Sequence, residues 1–382
     1  MTDELRAMIL GAGFAAQGHT AALKVAGVRV VAMASRTEAV CRQVAESLEI
    51  PTCGTDWRQM LADVRPDIVA VGTPGGTHYE MISTALEAGC HVLSDKPLAT
   101  TAADARDLYQ MAKQTGLKTA YAASYRYQPQ TLYAQEIVAA GRLGEVYEAE
   151  FVSHYHWPSR MPFGWPHRLE DGGGRLNNNF THKLAIAQHI LGGEVLAAMG
   201  EARHDLKRVP VAKKVHDFRD YFNQALSPEE AEQCEWAEVT SDWGYTVLAR
   251  IGSRDKPRDE AVTATFRHSG LRFGKNPDYV AVYGEAGTLH IEEAYTQGPM
   301  FLRIEGSDDW EELTIPQMIF DRLSDEDDPT QRNWNQLALD FVADIRGEGT
   351  PDFLTFRDGW IYQEVIDLIR SGSAWTPIAG DL

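Results

Sequence analysis

The sequence predicts an α/β protein in which a parallel α/β domain precedes an α+β domain with a large, mostly antiparallel sheet. The first ~120 residues alternate short apolar runs with helix-patterned segments, which is typical of βαβ units. Near residues 121–129 the pattern changes, and apolar residues then alternate with polar ones at a period of two. This alternation indicates half-buried antiparallel strands. We therefore expect a first domain over residues 1–124 and a second over residues 125–382.

Short apolar runs mark the strands of the first domain. The candidate buried strands are residues 7–10, 28–34, 68–72, 91–94 and 119–123. Helices are expected between these strands, as at residues 37–48 and 79–87, and Gly89 is a typical stop signal for the second of them. The alternation of strand and helix predicts parallel pairing, because parallel neighbours need a crossover connection.

The second domain begins with a helix over residues 131–140, which ends at Gly141. Alternation then predicts strands over residues 146–153, 245–251, 261–266 and 302–305, and a helical stretch follows over residues 333–370. Residues 205–238 form a polar insertion with a short helix capped at Ser227. The function of this insertion is not apparent from its residues.

Composition and charge exclude several classes of function. Asp and Glu number 55 against 36 Lys and Arg, so the net charge is −19, which disfavours binding to nucleic acid and to anionic membrane surfaces. No run approaches the ~20 apolar residues that a membrane span needs, and the N-terminus lacks the basic start of a signal peptide. The four cysteines are scattered without a close pair, so a cytoplasmic location is expected.

A glycine-rich turn follows the first predicted strand. It reads Gly11-Ala-Gly13-Phe14-Ala15-Ala16 and runs into a helix-compatible segment, which is the G-x-G-x-x-A form of the dinucleotide-binding fingerprint. Gly11 permits the tight turn, Gly13 lets a pyrophosphate approach the backbone, and the small Ala16 lets the helix pack closely. We expect this turn to bind a dinucleotide at the helix N-terminus, rather than to be a plain connection.

The end of the second strand indicates which dinucleotide is preferred. About 20 residues after the glycines, NAD-binding sites usually place an acidic residue on the ribose hydroxyls. Here the position holds Ser35 and Arg36, which could accept a 2′-phosphate. NADP is therefore slightly favoured over NAD, with stacking of Arg36 on the adenine or plain solvation as the alternatives.

Two further loops follow strand ends of the predicted sheet. Thr73-Pro74 leads to His78, and Asp95-Lys96-Pro97 follows residues 91–94. Because ligands of open parallel sheets bind at the carboxyl ends of the strands, Lys96 is placed where it could act on a substrate. A solvated loop lysine is the alternative for this short motif taken alone.

Several motifs in the same order resemble the glucose–fructose oxidoreductase/inositol dehydrogenase family (Gfo/Idh/MocA). They are the glycine turn, Thr73-Pro74 with His78, Gly89 to Asp95-Lys96-Pro97, Tyr125-Arg126-Tyr127-x-Pro129, Gly141 to Gly144, and Gly172-Gly173-Gly174 to Asn178 and His182. The resemblance implies an N-terminal Rossmann domain, an open-faced sheet after it, and an active site between them. It also implies hydride transfer between a sugar or polyol carbon and a nicotinamide. The residues expected to bind the cofactor are Gly11, Gly13, Phe14, Ala15, Ala16, Ser35, Arg36, Thr73, Pro74, His78, Asp95, Lys96 and Arg126.

The sequence departs from the family pattern at the site itself. Asp95 replaces a glutamate, and Asn178, Phe180 and Ala185 replace an Asp, a Gly and an Asp, whereas His182 is retained. A carboxylate that would raise the pKa of the histidine is missing unless Glu170 or Asp171 supplies it. We therefore expect His182 to titrate near the unperturbed value of ~6.5.

The expected catalytic residues are Lys96, His182 and Asn178. Neutral His182 can take the alcohol proton, Lys96 can stabilise the developing alkoxide, and Asn178 can orient the substrate. Aromatic and hydrogen-bonding side chains suit the two faces of a sugar, although ordinary interface aromatics would look the same. The residues expected to bind substrate are Tyr125, His156, Trp165, Arg168, Asn178 and His182. His154 and His156 lack a carboxylate or cysteine at ligand spacing beside them, so no metal is expected.

The sequence therefore predicts an NAD- or NADP-dependent oxidoreductase that acts on a secondary hydroxyl of a sugar, glycoside or cyclitol. One alternative is a glycosidase- or lyase-type enzyme that recycles the hydride, and another is a non-catalytic nucleotide sensor. The half-buried strands after residue 145 leave a sheet face that needs covering. Members of the family commonly pair through such a face, so a homo-oligomer, dimer or tetramer, is expected.

Overall fold

The computed structural model describes residues 4–212, 215–257, 260–275, 277–293, 298–348, 352–372 and 376–378. Its first part is a six-stranded parallel sheet in the order β3-β2-β1-β4-β5-β6, which confirms the Rossmann topology. The strands are β1 (Arg6–Leu10), β2 (Arg29–Ala34), β3 (Thr52–Gly54), β4 (Ile68–Val71), β5 (His91–Ser94) and β6 (Thr119–Tyr121). The helices are α1 (Phe14–Val25), α2 (Glu38–Ser47), α3 (Trp57–Val64), α4 (His78–Glu87) and α5 (Ala102–Thr115). Of the strands of this sheet, only β3 was not predicted from sequence, because this three-residue edge strand is too short to show a period.

The second sheet has nine strands in the order β16-β15-β14-β13-β7-β12-β11-β8-β17. Its strands are β7 (Val146–His154), β8 (Glu194–Arg203), β11 (Gly244–Gly252), β12 (Val262–Ser269), β13 (Asp278–Gly284), β14 (Gly287–Glu292), β15 (Met300–Ile304), β16 (Glu311–Leu313) and β17 (Thr376–Pro377). β7 and β12 pair in parallel, and the other neighbours in this sheet are antiparallel. The expectation of a mostly antiparallel sheet is confirmed.

Seven helices accompany this sheet in the described ranges, and they are α6 (Pro129–Ala139), α7 (Thr181–Leu191), α8 (Asp220–Asn223), α9 (Pro228–Glu232), α10 (Gln317–Phe320), α11 (Pro329–Ile345) and α12 (Phe356–Arg370). The insertion carries α8, α9 and an antiparallel pair, β9 (Arg208–Val211) with β10 (Glu235–Glu238). Ser227 caps α9 in a reciprocal capping box with Glu230, as the sequence predicts. The expected helical stretch over residues 333–370 is two helices, α11 and α12.

One face of the large sheet is covered and the other is open. Phe180 packs edge-on against Phe266 and Tyr245, at ring distances of 5.2 and 5.5 Å, beneath α7. The opposite face is polar, and there Glu150 accepts hydrogen bonds from the Tyr279 and Tyr283 hydroxyls. In the single chain this open face meets solvent.

The helix α11 returns to the first domain. Trp334 lies 5.0 Å from the Phe14 ring and 5.2 Å from the His19 ring, both on α1. A side chain on Gly18 would overlap the indole of Trp334, so this glycine permits the close packing. The helix that follows the glycine turn is therefore held between the parallel sheet and a segment from the far end of the chain. The domain boundary at residues 124 and 125 stays a prediction.

Candidate active site

The glycine turn between β1 and α1 is shaped by two close approaches. Gly11 has a φ of +116°, and a Cβ there would lie 2.8 Å from the Gly72 carbonyl oxygen. A Cβ on Gly72 would lie 2.6 Å from the Ala16 nitrogen, which is why residue 72 must be glycine. At Gly13 the surroundings are open, because a Cβ would meet only the His216 carbonyl oxygen, at 3.8 Å. The turn thus leaves room beside the free amides of α1, as an incoming diphosphate requires.

His78 connects the loops that follow β4 and β5. Its ring is fully buried; Nδ1 lies 2.7 Å from the Pro97 carbonyl oxygen and Nε2 lies 2.8 Å from the Thr73 carbonyl oxygen. Thr73 also receives a hydrogen bond from Thr77 at 2.8 Å, and Pro74 begins the short turn before α4. The structure therefore places His78 beneath these loops, with no surface for a direct contact to a cofactor.

Asp95 lies at the end of β5 and is nearly buried. One carboxylate oxygen accepts a 2.6 Å hydrogen bond from the Lys96 amide, and the other lies 3.8 Å from His19 Nε2. Burial alone would raise the pKa of Asp95, but the neighbouring His19 ring and the charge of Lys96 lower the pKa below its usual range. The shorter carboxylate that replaces the family glutamate is thus ionised and anchored.

Lys96 Nζ makes no hydrogen bond or ion pair within the part of the chain that the structure describes. Burial lowers its pKa below the ordinary value, the Asp95 charge opposes this, and the Arg175 charge adds to it. The ammonium is therefore available to a ligand and costly to leave unpaired. Both properties suit a group that binds a developing negative charge.

The glycine-rich segment of the second domain packs directly on the first domain. A Cβ on Gly172 would lie 2.8 Å from the Gly75 Cα, and a Cβ on Gly76 would lie 2.9 Å from the Asp171 Cα. Two backbones meet here with no side chain between them. This contact brings the residues that follow Gly174 to the edge of the parallel sheet.

Three consecutive asparagines follow the glycines, in a single π-helical turn over Leu176–Phe180. Asn177 donates to the Gly172 and Gly173 carbonyls at 3.2 and 3.0 Å, and Asn179 accepts from the Tyr245 hydroxyl at 2.5 Å. Asn178 is half-buried and lies four residues before His182, so the two share one side of the helix. Single π-helical turns next to an α-helix are frequent at functional sites.

His182 stacks on Tyr125, with ring centres 4.2 Å apart. Its Nδ1 is buried and has no hydrogen-bond partner among the described residues. Burial first, and then the positive charges of Lys96 and Arg175, lower the pKa of His182 to about 3, while Asp95 opposes them. The expectation of a pKa near 6.5 is therefore wrong, because the sequence does not show the burial or the neighbouring cations.

Neither Glu170 nor Asp171 is the carboxylate that acts on His182. Both pair with Arg168, at 2.6 and 3.2 Å, and this guanidinium is therefore committed to the loop before the glycines. Burial raises the pKa of Asp171 above its ordinary value, and the positive charge of Arg36 partly opposes this rise. Arg36, at the adenosine end expected for the cofactor, thus lies near the second domain.

Three other expected site residues have different surroundings. Arg126 binds His189 Nδ1 at 2.9 Å and Asp352 at 2.7 Å, so it joins parts of the second domain and no contact links it to the glycine turn. His156 is exposed, and its ring lies 3.7 Å from that of Phe273, with no contact to the Lys96–His182 pair. Trp165 packs 5.6 Å from Phe218 of the insertion. The alternation of side chains along β7 does not predict which way His156 faces, because the strand ends at His154.

Several buried polar groups near the site were not predicted from sequence. Both ring nitrogens of His19, the Ser124 hydroxyl and both polar atoms of Asn333 are buried and make no hydrogen bond in the described ranges. Arg175 is also buried, and it donates to His268 Nε2 at 3.0 Å. Buried polar groups without partners are costly, so this set indicates where a polar ligand binds. His19 had a sequence signal, its place on the first turns of α1, whereas Asn333 comes from α11 and had none.

The described residues contain no group of three or more His, Cys, Asp or Glu side chains that could hold a metal ion. Among those residues there is also no helix of sufficient length and apolar character to span a membrane.

Comparisons with known proteins agree with this geometry. A family model described as "Oxidoreductase family, NAD-binding Rossmann fold" matches residues 5–123, and a GFO/IDH/MocA C-terminal domain model matches residues 131–290. D-glucoside 3-dehydrogenase of Escherichia coli is 30% identical over 237 residues, which are 60% of this chain and 66% of that protein. The scyllo-inositol 2-dehydrogenase (NAD(+)) of Bacillus subtilis is 24% identical over 307 residues, 76% of this chain and 85% of that protein.

Solved structures show the same fold along the whole chain. The apo form of levoglucosan dehydrogenase has a TM-score of 0.83 at 17% identity and covers 99% of this chain and 100% of that chain. An oxidoreductase domain protein from Kribbella flavida has a TM-score of 0.78 at 22% identity, with coverage of 99% and 100%. With both domain models matched in order and together spanning most of the sequence, the chain belongs to the Gfo/Idh/MocA family of oxidoreductases with an NAD-binding Rossmann domain.

Proposed function

We propose that this enzyme transfers a hydride between a nicotinamide dinucleotide and a secondary hydroxyl of a sugar, glycoside or cyclitol. The observation that carries this proposal is the close packing of Gly172 on Gly75, which brings His182 near Lys96, so that the lysine charge lowers the histidine pKa. The relatives named above support the substrate class, because their names are those of dehydrogenases of a glucoside and an inositol.

The chemistry divides between the chain and its cofactor. Oxidation of a secondary alcohol removes a hydride from carbon and a proton from oxygen, and the bound cofactor supplies the hydride acceptor. Lys96 would donate a charge-assisted hydrogen bond to the oxygen as its negative charge develops. With its own proton on Nδ1, His182 would accept the alcohol proton on Nε2. Asn178, on the same side of the helix, would orient the substrate through hydrogen bonds.

The first test is an absorbance assay at 340 nm, with NAD and NADP against a panel of sugars, glycosides and cyclitols. We expect reduced cofactor to accumulate with at least one ring polyol. Product formed without reduced cofactor would instead indicate hydride recycling, and no turnover across the panel would contradict the proposal. The same panel tests the preference for NADP suggested by Ser35 and Arg36, since a lower KM for NAD would overturn it.

We also propose that a second copy of the chain covers the open face of the large sheet. This face carries Glu150, Tyr279 and Tyr283, and exposed aromatic residues such as Tyr147 and Trp310 lie on strand β7 and beside β16. Light scattering should therefore give a mass that is a multiple of 42.5 kDa, a dimer or a tetramer. A single species of 42.5 kDa at working concentration would contradict it. The cytoplasmic location stays a prediction from composition.

A further inference from the structure

The insertion at residues 205–238 crosses from the second domain to the glycine turn of the first. Its His216 carbonyl oxygen is the atom 3.8 Å from the position of a Gly13 Cβ. The Arg219 guanidinium carbon lies 4.9 Å from the centre of the Phe14 ring, and Arg219 Nη2 lies 3.5 Å from Gln17 Oε1. The segment therefore borders the turn on the side that Gly13 leaves open.

The same segment is fastened to the second domain by aromatic contacts. The Phe218 ring lies 5.8 Å from that of Trp157 and 5.6 Å from that of Trp165. Tyr221 is buried, and its ring lies 6.1 Å from that of His167. Arg219 lies between Phe218 and Tyr221 in sequence, so these two aromatic contacts hold its backbone in place beside the glycine turn.

The first part of the insertion is positively charged, whereas the whole protein is acidic. Residues 205–219 contain five lysines and arginines and two aspartates, in a chain whose net charge is −19. Asp217 binds Arg219 Nε and Nη2 at 2.8 and 2.6 Å and so holds the guanidinium in one orientation. The other terminal nitrogen, Nη1, has no partner in the ranges that the structure describes. The first turn of α1 contains no acidic residue that would compete for the guanidinium.

We propose that Arg219 binds the diphosphate of the cofactor, so that the insertion supplies a cation to the glycine turn from the second domain. This inference rests on the proposed cofactor site. The stacked, carboxylate-held guanidinium is pre-organised for charge-assisted hydrogen bonds to phosphate oxygens. Because the turn itself offers only backbone amides and a helix dipole, a fixed cation beside it would raise affinity for the diphosphate. The insertion then contributes to how tightly the dinucleotide is held and how slowly it dissociates.

Calorimetric titration with ADP-ribose, NADH and NADPH tests this without measuring turnover. Arg219→Ala should weaken ADP-ribose about 10-fold to 100-fold, the scale of a lost hydrogen bond to a charged group. The affinities for NADH and NADPH should fall by the same factor, since both dinucleotides contain the diphosphate. Lys207→Ala is the matched control, because it removes an exposed cation of the same insertion, and its affinities should equal those of the wild type. Raising the salt concentration should reduce the difference between Arg219→Ala and the wild type.

Each alternative result has a definite meaning. Unchanged affinities in Arg219→Ala would overturn the inference, as would a loss for NADPH alone, which would assign Arg219 to a 2′-phosphate. If the wild type itself bound none of the three ligands, the proposed cofactor site would fail instead. If thermal denaturation shows that the alanine variant does not fold, Arg219→Gln carries the same expectation, since it keeps a polar side chain but removes the guanidinium and its charge.

Discussion

Replacement of His182 by alanine is expected to lower the rate of hydride transfer by about 10²–10⁴, the range for loss of a general base. The imidazole beside Lys96 is neutral at neutral pH, and its Nε2 makes no hydrogen bond among the described residues. Its removal leaves the alcohol proton without an acceptor, so the barrier rises by about 3–5 kcal/mol. Single-turnover absorbance with saturating cofactor and substrate measures this step directly.

The pH profile of the wild type should identify the base. Only the neutral form of His182 can accept a proton, and its pKa is lowered to about 3, so activity is retained as the pH falls through 6.5 and is lost only near the lowered value. Asn178→Asp should place a negative charge four residues away and move the acidic limb to higher pH. Lys96→Met should move the limb in the same direction, because a positive charge that disfavours imidazolium is removed.

His91→Ala is the matched control for His182. His91 lies at the opposite end of β5 from Lys96, where Nδ1 accepts a hydrogen bond from the Lys118 amide, and its loss should leave the rate unchanged. A His182 variant with nearly full activity and an unaltered acidic limb would contradict the assignment. The proton would then have to leave through Lys96 or water.

Replacement of Lys96 by methionine should lower the hydride-transfer rate by about 10²–10³, as seen when one pre-organised electrostatic donor is removed. Methionine fills similar space, so the fold should persist while the charge is lost. Since the ammonium has no other partner among the described residues, its charge is available to the reacting oxygen. Stopped-flow absorbance gives the rate, and a separate titration with NADH shows whether cofactor affinity also changes.

Two further variants separate the possible roles of Lys96. Lys96→Arg keeps a positive charge that cannot be lost, so a purely electrostatic role predicts partial activity with the alkaline limb removed. Complete inactivity of Lys96→Arg, together with normal cofactor binding, would instead indicate that the lysine is the base. Lys113→Ala, at an exposed position on α5, is the control and should behave as the wild type.

Most of the first domain could be predicted from sequence because its signals are local. Each predicted strand of the parallel sheet coincides with an observed strand within a few residues, and the glycine turn lies between β1 and α1 as its fingerprint requires. Asp95 and Lys96 follow the end of β5, where the topology places ligands. The missed strand β3 has too few residues to reveal a pattern.

The site itself shows the limit of local signals. A family motif predicted Arg126 for the site, and an aromatic, polar segment predicted His156. In the structure, Arg126 binds His189 and Asp352, and His156 lies on Phe273. A motif shows which residues are present in one short segment. The side chains that these residues bind come from distant parts of the chain, so the motif does not predict them. Asn333 is the opposite example, a residue that no local signal predicted for the site. Only the packing of α11 on the first domain brings it near α1.

Local sequence patterns are enough to predict the parallel and antiparallel halves, the dinucleotide turn and the choice of Lys96 and His182 as candidate site residues. These depend on hydrophobic period, on glycines that allow a backbone approach, and on residues at strand ends, all of which are properties of short segments. Three-dimensional packing sets the pKa of His182, the partners of the arginines and the position of the insertion over the glycine turn. Burial and charge interactions depend on every neighbour in space, and those neighbours come from segments tens to hundreds of residues apart.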